Sequence, residues 1–441
     1  MKPISQSVMV HPADFQGGSL EVPGDKSISH RIAMLAGLAS GVSQVRNYLQ
    51  AEDCINTLRA MEALGARSSF SENGDLEIHG TGGKILEPVG PLNLGNSGTG
   101  MRLLAGLMSG LPVSVEMTGD ASLCSRPMGR IKAPLEKMGA TIELTGERGC
   151  APIRVKGGHL KAIDYVLPVA SAQVKSCVLF AGLFAEGTTT VTEPVATRDH
   201  TERLMKAMGL PLTVDGLKIS IQGFGSKGLN LMARPWMAPG DFSSAAYWMA
   251  AAAIKPGAKV TIRNVGLNAR RTALLDVLKR MGAEVKIQRT SSSADAEVFG
   301  DITVKGQLLK GTEIGGGEIP NLIDEIPIIA VVGALAEGRT VIRDAAELRV
   351  KESDRIAVMA ANLRLFGVNV EEKPDGMEIV GPTDLKAPSN VNSFGDHRIA
   401  MSMAILALQA DQPVCINNVA CVETSYPGFW DDMKRLGVNV E

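Results

Sequence analysis

One helix-ending signature occurs six times in this chain: MEALGA, LEKMGA, MKAMGL, LKRMGA, LRLFGV and MKRLGV. Its glycines are Gly65, Gly139, Gly209, Gly282, Gly367 and Gly437, at spacings of 74, 70, 73, 85 and 70 residues. A glycine just past a helix accepts the left-handed conformation that closes the last turn. After it the apolar period changes from about 3.6 to about 2, as in ATIEL and AEVKI, which predicts a strand. A repeat of this length limits the fold to a stack or ring of similar α/β units.

Two more features recur in step. Small-residue segments such as RIAMLAGLASG, GMRLLAGLMSG and EIPIIAVVGALAEG read as helices packed closely on several sides, and so as central ones. The Lys- and Arg-richer helices then lie outside them. A closing strand follows in LEIHG, IRVKG, ISIQG, ITVKG and MEIVG. Only five copies exist, and the β-like SVMVHPADF at the N-terminus is the segment left to supply the sixth.

The count gives six units of roughly 70–80 residues. A ring of six and two groups of three both fit it. The proline-rich MARPWMAPGD at 232–241 favours two groups. One three-unit domain then covers 24–238, and the other covers 1–23 with 239–441. The chain would cross between halves near Pro23 and Pro239. Two crossings make a hinge with a cleft, a common ligand site.

Composition narrows the function. With 441 residues the chain can bury a large core, and with 4% aromatics that core is aliphatic. A net charge of −2 argues against general nucleic-acid binding, which needs a basic surplus, but leaves room for a local basic pocket. The six cysteines, at 54, 124, 150, 177, 415 and 421, form no CxxC pair and read as buried free thiols. The longest apolar run, AAYWMAAAAI, suits a buried helix rather than a membrane span. A soluble cytoplasmic protein is expected.

The starts of the central helices carry unusual residues. PGDKSISHR places Lys26, Ser27 and Arg31 at one, and GDHRIAM places Asp396, His397 and Arg398 at another. Between them come Asn96, Ser97, Thr99 and Arg102, then Ser171, Gln173 and Lys175, then Asp241, Ser243 and Ser244, then Asp324 and Glu325. Ser97, Ser243 and Ser244 read as ordinary N-caps. Lys26, Arg31 and Arg398 do not, because cations oppose the positive end of the helix dipole. Bound anions would make the arrangement favourable.

Other charges join this set. Arg126 in CSRPMG and Arg198 in ATRDHTERL each stand just before a predicted helix. In LRVKESDR, Lys351 and Arg355 share a face if that part is helical, and Glu352 and Arg355 can pair. Asp324 and Glu325 can be plain caps or proton-transfer groups. His11, His79, His159 and His200 lack metal-like spacing and are expected at the surface.

Taken in order, GDKSISHR, GNSGTGMR, SRPMGR, SAQVKS, PGDFSSAAY, IDEIP, RVKESDR and GDHRIAM resemble the 5-enolpyruvylshikimate-3-phosphate synthases of the enolpyruvyl transferase family over nearly the whole chain. The resemblance implies an α/β (α+β) fold, an inside-out α/β barrel. It has two similar domains, each of three βαβαββ units, with the active site in the cleft between them. It implies transfer of the enolpyruvyl group of phosphoenolpyruvate to the 5-hydroxyl of shikimate 3-phosphate, with release of phosphate and no cofactor or metal. Seven cations would meet roughly five to six negative charges on the two substrates.

By similarity, shikimate 3-phosphate would be held by Lys26, Ser27, Arg31, Ser171, Gln173, Arg198, Asp324 and Lys351. Phosphoenolpyruvate would meet Lys26, Gly98, Arg126, Gln173, Arg355 and Arg398. Asn96, Thr99, Asp396 and His397 would support them. Asp324 would be the base at the hydroxyl and Glu352 the acid at the methylene carbon, assisted by Lys26. The partners would be these small molecules, with no nucleic acid and no membrane, and the chain would act as a monomer.

Departures from many members include Ala172 beside Ser171, Glu347 in place of asparagine and Thr424 in place of lysine. A UDP-N-acetylglucosamine enolpyruvyl transferase, with Cys124 near the reactive-loop position, is the nearest alternative. A non-catalytic anion-binding repeat protein and an RNA 3′-phosphate cyclase are further ones.

Overall fold

The computed structural model describes residues 7–292 and 295–441. It divides into two compact units: Gly24–Ala238 with the described part of Ser293–Glu297, and Pro239–Ser292 and Val298–Glu441 with the described part of Met1–Pro23.

Each unit contains three sheets of one design, in which a parallel strand pairs with the second strand and two antiparallel strands complete the order. In the first unit, Leu92–Asn93 runs parallel to Ser114–Thr118, which pairs antiparallel with Ile153–Lys156 and that strand with Thr141–Leu144. The sheets built on Val42–Arg46 and Thr188–Thr192 repeat the order. In the second unit the sheets built on Lys259–Gly266 and Gly338–Ile342 repeat it again. In the last sheet Asn390–Asn392 runs parallel to Val414–Asn417, and Ser7–Val10 takes the third place antiparallel to it. An isolated antiparallel bridge from Val10 to Val440 stands where the fourth strand would be.

The small-residue helices are the buried ones. All twelve residues of Phe242–Ala253 are buried. Lys26–Leu38, Gly98–Ser109 and Ala172–Gly182 are nearly so in the first unit, as are Ile326–Leu335 and His397–Ala407 in the second. Small side chains let these helices approach closely. A Cβ added at Gly106 would stand 2.1 Å from the Cys177 carbonyl oxygen of the neighbouring helix. In five of the six sheets a glycine closing the third strand in the order also approaches backbone near the end of a central helix: a Cβ at Gly306 would lie 1.9 Å from Lys255 O. That contact explains the glycine ending ITVKG and its repeats. The six helix-ending glycines all have φ between +73° and +113°, as the cap requires.

Several expectations need correction. Ser243 and Ser244 are not caps. Asp241 caps their helix, accepting from both of their backbone N–H groups at 2.7 and 3.1 Å, because its carboxylate reaches where a serine inside the first turn cannot. Lys351 and Arg355 share no helical face, since the helix starts at Arg355 behind the cap Asp354 and Lys351 is extended. His200 is buried rather than at the surface, its Nδ1 lying 2.7 Å from Glu297 Oε1. Three of the six cysteines, Cys124, Cys415 and Cys421, are only half-buried.

Candidate active site

In the first unit the helix Lys26–Leu38 begins behind Asp25, whose carboxylate accepts from Ile28 N at 2.9 Å. The cap holds the first turn and so fixes Lys26 and Ser27. Lys26 Nζ lies 2.5 Å from Asp53 on the helix Glu52–Ala63. Arg31, one turn on, is buried. It donates from Nε to Thr201 Oγ1 at 2.7 Å and from Nη2 to Ser176 Oγ at 2.8 Å. A third donation, from Nη1 to Ser27 O at 2.7 Å, ties it to its own helix. Burial pulls its guanidinium down to about 10, against the attraction of Glu202 and Asp25, and Arg198 nearby adds repulsion.

Further round the same unit, Ser97 caps Gly98–Ser109 and accepts from Gly100 N at 3.0 Å. Arg126 donates to the Asn96 carbonyl at 3.3 Å and to Asn96 Oδ1, while Asn96 Nδ2 donates to Asp120 at 2.7 Å. Gln173 joins two elements, donating to Thr99 Oγ1 at 2.9 Å and accepting from Arg102 Nη1 at 2.8 Å. Ser171 caps its own helix, accepting from Val174 N at 3.3 Å. Lys175, a cation at the same helix start, faces inward. It is fully buried between Glu193 at 3.0 Å and Glu202 at 2.7 Å, so its role is structural.

The second unit gathers the other half of the set. Asp324 precedes the helix Ile326–Leu335. Its carboxylate has guanidinium nitrogens of Arg271, Arg355 and Arg398 at 3.5, 3.6 and 3.7 Å. Its carbonyl accepts from Arg398 Nη1 at 2.9 Å. Glu325 is buried beside it and accepts from Ser243 Oγ. Burial pushes the Glu325 carboxyl up, against the pull of Arg271 and Arg398.

Arg355 is fixed from two sides, by Asp396 Oδ2 at 2.8 Å and by Glu352. Burial opposes its charge, but these two carboxylates outweigh that and hold its proton more tightly than usual. The same balance holds for Arg398, with Asp324 as the first attraction after burial. Asp396 also caps His397–Ala407, accepting from Arg398 N at 2.9 Å. Lys351 is pulled down from its ordinary value by burial and by Arg355, against Asp324.

Arg271 and Asp53 were missed in the sequence. The repeat held a signal for the pair Arg270 and Arg271, which precede the outer helix Ala273–Met281 much as Arg198 precedes His200–Ala207 and Arg126 precedes Gly129–Met138, but it does not tell one arginine from the other.

Cations fixed by buried carboxylates and hydroxyls suit the binding of small multiply charged anions. Comparison with known proteins narrows this. The sequence model described as EPSP synthase (3-phosphoshikimate 1-carboxyvinyltransferase) matches residues 10–433. A 3-phosphoshikimate 1-carboxyvinyltransferase from Akkermansia muciniphila is 54% identical over 427 residues, which is 95% of this chain and 97% of that protein. The structure of EPSP synthase from Acinetobacter baumannii aligns with a TM-score of 0.86 at 42% identity, covering 99% of both chains. The enolpyruvyl transferase NikO from Streptomyces tendae aligns at 0.79 with 17% identity over 99% of this chain and 98% of its own, a likeness of fold alone. The fold is that of the enolpyruvyl transferases. The chain belongs to the EPSP synthase family. Relatives named for 3-phosphoshikimate do not favour the UDP-N-acetylglucosamine alternative.

Proposed function

We propose that this chain transfers the enolpyruvyl group of phosphoenolpyruvate to the 5-hydroxyl of shikimate 3-phosphate and releases phosphate, in the shikimate pathway of aromatic amino acid biosynthesis. The observation that carries this is Asp324, a carboxylate with three guanidinium groups within 3.7 Å, beside a buried glutamate. Guanidinium groups at this distance favour the carboxylate form, the form that a general base needs before it takes the hydroxyl proton.

Shikimate 3-phosphate is assigned to Lys26, Ser27, Arg31, Ser171, Gln173, Arg198, Asp324 and Lys351. Phosphoenolpyruvate is assigned to Lys26, Gly98, Arg126, Gln173, Arg355 and Arg398. Bidentate arginines suit its carboxylate and phosphate. Asp324 takes the hydroxyl proton as the oxygen bonds to C2, while Glu352, assisted by Lys26, gives a proton to C3. The resulting ketal then loses phosphate as C3 returns its proton. Every assigned residue belongs to one chain, so a monomer suffices for this reading. A cytoplasmic setting fits the substrates. Among the described residues no helix is long and apolar enough to cross a membrane.

The test is phosphate release with each substrate omitted in turn. Release that needs both supports the reading. Release with phosphoenolpyruvate alone, or none from folded protein, contradicts it.

A further inference from the structure

Arg271 lies outside the set that resemblance assigns to the substrates, yet it is built into the same cluster. It stands two residues before the helix Ala273–Met281 and is 3% exposed. Its guanidinium forks. Nη2 donates to Ser243 Oγ at 2.6 Å, and Ser243 Oγ donates onward to Glu325 Oε1. Nη1 lies 3.5 Å from Asp324 Oδ2. One arginine thus reaches two adjacent carboxylates, Asp324 directly and Glu325 both directly, with Nη2 3.9 Å from Oε1, and through a serine on the helix Phe242–Ala253.

Two neighbouring carboxylates repel, so only one ionises easily unless positive charge separates their demands. Arg355 and Arg398 also face Asp324, but both belong to the set assigned to phosphoenolpyruvate. Arg355 is shared with Asp396 and Glu352. Arg271 is not in that set, so its charge serves the carboxylates through the whole cycle.

We infer that Arg271 is a positioning residue, which holds Asp324 ionised and oriented as the base by keeping Glu325 fixed through Ser243. This rests on the assignment of Asp324 as base. The other charged and titratable groups acting on the pair are Arg355 and Lys351 around Asp324, and Arg398, which lies 3.7 Å from Asp324 and 3.8 Å from Glu325 with Tyr247 and Asp241 beside it. Arg398 spans the two carboxylates through its own nitrogens, whereas Arg271 adds a link to Glu325 through the Ser243 hydroxyl.

A merely structural counterion would give a different result on substitution. Removing it would lower the melting temperature and the yield of folded enzyme, and leave the pH profile of the surviving enzyme in place. A positioning role predicts that Arg271→Gln lowers kcat roughly 10- to 100-fold, within the range that a general base contributes. KM for both substrates stays within about threefold. The acidic limb of the kcat profile moves to higher pH, because an Asp324 without Arg271 ionises less readily.

Arg271→Lys keeps the charge but loses the fork, so its kcat falls between native and the Gln variant. The double variant with Asp324→Asn is no slower than Asp324→Asn alone, because both act on one step.

A native kcat in Arg271→Gln overturns the assignment. So does a loss that leaves the acidic limb unmoved and recurs in full on the Asp324→Asn background. If the Gln variant does not fold, the Lys variant decides alone. A kcat lowered several-fold with KM retained supports the role, and a native kcat overturns it. The reading beneath is checked separately. A fully active Asp324→Asn enzyme overturns Asp324 as base, and the Arg271 role with it, whereas an inactive one beside a native-like Arg271→Gln overturns the Arg271 role alone.

Discussion

The carboxylate of Asp396 accepts from Arg355 Nε at 2.8 Å while its other oxygen takes the backbone N–H of Arg398 at 2.9 Å. One buried acid therefore aims two arginines, one by its side chain and one by the helix it caps. Asp396→Asn keeps the shape but loses the charge that offsets a guanidinium 1% exposed. Since Glu352 still pairs Arg355, the loss should fall near the low end of a broken buried pair, about 3 kcal/mol. Urea unfolding measures it, and the KM for phosphoenolpyruvate should rise in parallel.

Lys175 stands at a central-helix start, as Lys26 does, but is enclosed by Glu193 and Glu202. Lys175→Met should cost about 3–5 kcal/mol, because it strands two buried carboxylates. Adding Glu193→Gln and Glu202→Gln should recover much of that. A single variant as stable as the native protein in urea contradicts this account.

Gly98 begins a helix where a new methyl would stand 2.8 Å from Arg102 Nη1 and 3.2 Å from Arg126 Nη1. Both are ends of flexible side chains, so Gly98→Ala should fold. Arg102 must then shift from its place against Gln173, and Arg126 must give by a few tenths of an ångström. The KM for phosphoenolpyruvate should rise roughly tenfold, equivalent to about 1.4 kcal/mol. The KM for shikimate 3-phosphate should change little.

His30 bridges Thr57 at 2.7 Å and Ser97 at 3.3 Å. Burial, with Lys26 and Arg31, holds its imidazole well below 6.5. The unfolded chain then binds a proton that the folded one refuses, so stability is full above pH 6.5 and falls as pH drops below it. The slope for one proton is about 1.4 kcal/mol per pH unit. His30→Gln should flatten the acid side of the stability profile, measured by urea midpoints from pH 7.5 down to pH 5 (roughly the window in which an ordinary imidazole titrates).

The repeat was readable in the sequence because each copy obeys a local rule. Gly65 and its five counterparts close helices by conformation, and the glycine ending ITVKG is forced by one contact with a helix end. Lys26, Arg31 and Arg398 stood out because helix starts disfavour cations. What stayed hidden was pairing across distance. Nothing in NARRTALL distinguishes Arg271 from Arg270, and Asp53 resembles any acid in a first turn until Lys26 is placed beside it. Lys175 was hidden in the same way, since burial is set by the packing of its helix and not by its neighbours in sequence.

The most direct measurement follows phosphoenolpyruvate labelled with ¹³C at C2 by NMR, with shikimate 3-phosphate and the native enzyme. The account predicts that the label moves into an enol ether carbon on the acceptor, with one phosphate released for each, and that Asp324→Asn slows both together. Phosphate released without a new ether carbon, or an ether formed as fast by Asp324→Asn, would contradict it.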